Sequence, residues 1–93
     1  MIAEVGMARK FEQVIENGIT FVFKMDDVDP DLLHIYARHL TSIDDALDVF
    51  FDSTPKWNEE FKRYENHTAT HGLYWFWINQ SNKIVMVVSC FRL

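Results

Sequence analysis

The chain reads as an α+β domain, an antiparallel sheet of about three strands (one early strand plus a C-terminal hairpin) packed with three to four helices. Three observations predict it. Residues 73–79 and 83–91 are rich in β-branched and aromatic side chains and are joined by polar Gln80-Ser81-Asn82. Upstream of them, apolar residues recur at helical spacing, most cleanly at Ile43, Ala46, Leu47, Phe50 and Phe51. The 93 residues hold only three Gly and two Pro, with no linker-like stretch, so they form one domain over 1–93.

The elements follow in chain order. Met7, Phe11, Val14 and Ile15 stand three and four apart, which predicts a helix over residues 3–17, ended by Gly18 as a left-handed cap. Residues 19–25, Ile-Thr-Phe-Val-Phe-Lys-Met, read as a strand. Asp29-Pro30-Asp31 then opens a helix through Leu40, because Asp caps free N–H groups and Pro at the first helical position loses no hydrogen bond. Thr41 and Ser42 cap a further helix over 43–51, with Asp44 and Asp45 at its positive end. Ser53-Thr54-Pro55 begins a last helix over 55–66, on which Trp57, Phe61 and Tyr64 share a face.

The hairpin strands are apolar on both sides. Leu73, Trp75 and Trp77 alternate with Tyr74, Phe76 and Ile78, and Ile84, Met86, Val88 and Cys90 alternate with Val85, Val87 and Phe91. A sheet with one wet face would alternate apolar with polar. This one requires cover on both faces, from helices, from a partner chain, or from both.

Charge is unevenly spread around a net of −5. Residues 26–52 carry eight Asp against Arg38, while residues 53–93 are slightly basic. The chain lacks the dense basic footprint that nucleic acid binding needs, and the same balance excludes a basic membrane-surface helix. No apolar run approaches the roughly 20 residues of a bilayer span. Cys90 is the only cysteine, so no disulfide framework exists. These features, with no signal peptide at the N-terminus, place the chain in the cytoplasm.

Candidate chemistry is sparse. His67 and His71 have the spacing of a zinc ligand pair, with Cys90 on the hairpin as a third donor. No fourth ligand accompanies them, so the reading is of loop histidines with no metal and no cofactor. Asp27-Val28-Asp29-Pro30-Asp31 begins like a calcium loop, but Leu32 and Arg38 occupy its glycine and glutamate positions. Asp44, Asp48 and Asp52 stand four apart and read as a solvated helix face. Trp57, Trp75 and Trp77 could line an aromatic pocket for a small ligand.

The run of helix 43–51, Arg63, the two apolar strands, and near-terminal Arg92 resembles small toxins of the RelE and BrnT type, which are ribonucleases. The resemblance implies that Arg63, His67, His71 and Arg92 would carry phosphate stabilisation and proton transfer. That family is strongly basic, and this chain is acidic. The first expectation is therefore a protein that acts by protein–protein association, as a homo-oligomer (a dimer) or with another protein. Its interface would draw on Leu73, Trp75, Trp77, Val85 and Val87, because aromatic-rich strands make good interface cores. The ribonuclease and the ligand pocket are the alternatives.

Overall fold

Asn17 and Gly18 both take positive φ, 52° and 78°. That is the geometry of a two-residue hairpin turn whose twist matches the strands on either side. In the computed structural model, which describes residues 10–93, the turn joins β1 (Phe11–Glu16) to antiparallel β2 (Ile19–Lys24), with Glu16 opposite Ile19 and Phe11 opposite Lys24. The helix expected over 3–17 is thus corrected for residues 11–16, which form a strand; residues 3–9 lie outside those described.

Asp26 sets the entry to the helices. Its buried carboxylate accepts the backbone N–H groups of Val28 at 3.1 Å and Asp29 at 3.0 Å. Asp29-Pro30-Asp31 is thereby drawn into a turn instead of a helical first turn. The helix starts only after it: α1 spans His34–His39 and ends at Leu40, whose φ is 57°. α2 spans Ile43–Asp52, close to the expected bounds. Its N-terminus is closed by a reciprocal capping box, in which Ser42 Oγ accepts the Asp45 N–H and the Asp45 carboxylate accepts the Ser42 N–H.

The helix expected over 55–66 is replaced by β3 (Lys56–Asn58), a turn and β4 (Arg63–His67). Asn58 Oδ1 accepts the Phe61 N–H at 3.1 Å, and Lys62 turns the chain back with a φ of 55°. Trp57 and Tyr64, which also suit one helix face, instead meet across the two strands with ring centroids 4.9 Å apart. β5 (His71–Asn79) and β6 (Ile84–Arg92) form the expected hairpin, extended by two residues at the start of β5.

The result is one six-stranded mixed sheet in the order β1-β2-β6-β5-β4-β3. Only β2 and β6 run parallel; every other neighbouring pair is antiparallel. The expected three-stranded antiparallel sheet with three to four helices is therefore overturned: the described residues hold six strands and two short helices. The early strand joins β6 in parallel because the chain between them crosses over through α1 and α2 before the β3–β6 meander returns to it.

Both helices lie on one face of the sheet. Beneath them pack Phe21 and Phe23 of β2, Val85, Val87 and Cys90 of β6, and Leu73 and Trp75 of β5, against Ile35, Ala46, Leu47 and Val49. Two buried polar side chains tie the layers together. Thr41 Oγ1 donates to the Cys90 carbonyl at 2.7 Å. Asn66 Nδ2 donates to the Ser53 carbonyl and hydroxyl at the end of α2, and its Oδ1 accepts Trp75 Nε1 at 2.8 Å. No described helix is long and apolar enough to cross a membrane.

Candidate functional site

Alternation along a strand assigns each side chain to the helix-covered face or to the opposite, open face. On β4, Tyr64 and Asn66 face the helices, so Arg63, Glu65 and His67 face away. Gly72, paired with His67, is also on the open face, where an added Cβ would meet the Phe91 ring at 2.5 Å. His71 precedes it and points to the other side, into a groove of about 290 Å³ that Asp45, Asp48 and Asp52 help to line. Arg92 is the cross-strand partner of His71 and shares its side.

The sheet therefore stands between Arg63 and His67 on one side and His71 and Arg92 on the other. The four residues named for ribonuclease chemistry do not converge on one phosphate. Arg63 is moreover engaged: its guanidinium lies 3.7 Å from the centre of the Tyr74 ring and 4.6 Å from that of Phe61. Its Nε donates to Glu65 at 2.8 Å. That bond, opposed by burial and aided by a bond from Asn58, holds the Glu65 carboxyl below the usual carboxylate range.

The zinc reading meets the same partition. His67 and His71 lie on opposite faces, and Cys90 is 0% exposed in the core. Burial pushes its thiol up to about 11, away from the thiolate a metal requires. Among the described residues no three His, Cys, Asp or Glu side chains stand close enough to hold a metal ion.

Trp57, Trp75 and Trp77 do come together, but with Tyr64 filling the space between them. Trp57 packs edge-on to Tyr64, Tyr64 stacks on Trp75 at 4.7 Å, and Trp75 packs edge-on to Trp77 at 5.2 Å. The row extends the core past the end of α2, where Phe50 meets Trp75 at 4.9 Å.

Of the side chains expected at an interface, Leu73, Trp75, Val85 and Val87 are buried and Trp77 is half-buried. The chain's own helices pack over the first four. The uncovered side chains are those that alternate with them. Phe76 is exposed on the hairpin, and β1 adds Phe11 and Ile15, the latter 71% exposed; Ile78 and Val88 are exposed too, at the two register shifts where the alternation breaks. Phe11 and Ile15 are absent from the interface set that the sequence predicts, because their spacing also fits a helix. The Asn17-Gly18 pair, the strongest short-range hairpin signal, could have found them.

Compared with protein-family models, curated proteins and solved structures, the chain shows no significant match. The surface must speak for itself. Charges near the open face are largely neutralised within the chain, by the Arg63–Glu65 and Lys24–Asp27 ion pairs at 2.8 and 3.1 Å. The helical side differs: Asp44, Asp48 and Asp52 have no cationic partner among the described residues, and Glu16 joins them along one groove.

Proposed function

We propose that the protein acts by protein–protein association through the open face of its sheet, and that its partner there is a second copy of the chain. The observation that carries this reading is the set of exposed apolar side chains Phe11, Ile15 and Phe76 on the face that no described helix covers. Area supports it. The six strands run from three to nine residues, and at about 3.3 Å rise and about 4.8 Å spacing they give a face on the order of 600 Å². A stable pair needs about 800 Å² from each partner.

Charge supports the choice of face. A twofold pairing brings each patch against its own copy. On the open face this sets apolar side chains and internally paired ions together; on the helical side it would set unpaired aspartates against each other. The sheet edges are also poor contacts. β3 is three residues long, and β1 carries Glu12 and Glu16, devices that discourage strand-to-strand addition.

The test places a charge on each side. Ile15→Lys and Phe76→Lys, together, are expected to give a single-chain mass in sedimentation with unchanged circular dichroism, whereas Tyr36→Lys on the helical side leaves the dimer intact. Dissociation by Tyr36→Lys alone would move the interface to the helices and overturn the reading.

A further inference from the structure

The two helices do not cover the whole sheet. α1 packs on β6 and β2, and α2 on β5 and β4, so among the described elements neither helix is centred over β1. A two-layer fold normally continues its helical layer over each strand that carries inward apolar side chains, and β1 carries Val14, packed against the core from the side. Beside β1 the described residues form a trough. One part, of about 560 Å³, is floored by Met25, Leu33 and Ile43 with Tyr36 at its wall, and has Asp31 and Asp44 on its rim. The next part, of about 220 Å³, shares Asp44 and continues past Leu47 and Phe51 between Glu16 and the acids Asp48 and Asp52. Among the described residues no lysine or arginine lines either part.

From this apolar floor and acidic rim, we infer that the trough along β1 is a docking site for a cationic amphipathic helix of another protein. The occupant's chemistry follows from the rim. Asp44, Asp48 and Asp52 recur every four residues on α2, about 6 Å apart along its axis. A helix lying beside α2 at the usual interaxial distance of about 8–10 Å would meet that row with Lys or Arg at the same spacing. Its apolar stripe would enter the floor beside Leu47 and Phe51. A second copy of this chain does not suit the site, since residues 26–52 hold eight Asp against Arg38 and two copies would present like charges. This site is independent of the open face, on the opposite side of the sheet.

The experiment uses the full chain and a labelled synthetic 18-residue helix of Leu, Ala and Lys, its lysines four apart on one face. The control peptide has the same composition in an order that destroys the stripe. Fluorescence anisotropy is expected to show saturable binding of the amphipathic peptide, at least about tenfold tighter than the control, and weakened by salt. The triple variant Asp44→Asn, Asp48→Asn, Asp52→Asn, checked for an unchanged melting curve, is expected to lose about tenfold in affinity. Phe51→Ser is expected to weaken binding at constant charge. Equal affinity for the two peptides would reduce the effect to non-specific attraction and overturn the inference, as would undiminished binding by the triple variant. Masses above a dimer without peptide, abolished by the triple variant, would identify a second copy as the occupant and overturn it too. Disruption of the dimer by open-face substitutions leaves peptide binding unchanged, which separates this test from that of the proposed function.

Discussion

Asn66 shows how much a single side chain can settle. It is 1% exposed, yet both ends of its amide are satisfied, by Trp75 on one side and Ser53 on the other. Removing it strands the Trp75 indole N–H in the core, where an unmet donor costs about 1–3 kcal/mol. Asn66→Ala is expected to lose at least about 2 kcal/mol in urea unfolding; a loss under about 0.5 kcal/mol would mean that the indole finds another acceptor. Asp26 behaves differently because it is charged. Burial alone would raise its carboxyl, but the N–H groups of Asp29 and Val28, with His34 at 3.3 Å and Arg38 at 3.0 Å, outweigh burial and hold it below the ordinary 3.8. A depressed carboxylate stabilises the fold above its unfolded pKa and ceases to do so as pH falls through the folded one. Asp26→Asn should therefore melt below the parent at pH 7, and the gap should close as pH drops below 3.8. A gap that stays constant to pH 2 would contradict the assignment. Cys90, buried and with its thiol raised to about 11, is expected to resist a chromogenic disulfide reagent at pH 8 until the protein is unfolded. Rapid stoichiometric reaction of the native protein would place it at the surface.

Elements were legible where local chemistry and packing agree. The Ser42 cap, the acids after it and the apolar stripe all point to α2, and the apolar strands around a polar turn point to the β5–β6 hairpin. They misled where three apolar residues at helical spacing outvoted a turn. Phe11, Val14 and Ile15 fit a helix by spacing alone, but Asn17-Gly18 demands two positive φ values, and the hairpin follows from the turn. Trp57, Phe61 and Tyr64 fit one too, until Asn58 and Lys62 close a turn between them. The candidate site was legible only as a tension, hairpin strands apolar on both faces. Which face the helices leave open depended on the register of strands far apart in the chain, as in the parallel pairing of Phe21 with Val85. The turn can be tested directly. Gly18 has φ of 78° and no atom within 4 Å of a built Cβ, so Gly18→Ala costs backbone conformation alone. It is expected to destabilise by about 1 kcal/mol in denaturant melts. Unchanged stability would show that the turn does not hold the left-handed conformation.

At the scale of the whole molecule, the architecture is a sheet with helices on one side and an exposed apolar row on the other. A monomeric protein seldom exposes a contiguous apolar patch larger than a few hundred Å², and burying apolar area at about 25 cal/mol per Å² favours association. The acidic helical side works the other way, since two copies brought together there would set like charges against each other. Both surfaces thus follow from one asymmetry in the fold. The most direct measurement is the mass of the unmodified chain by light scattering across a dilution series from about 100 to 1 µM, a range spanning ordinary dimer affinities. Face-to-face pairing predicts a plateau at twice 11.0 kDa. A mass of 11.0 kDa throughout the series would contradict it and leave the open face exposed to water.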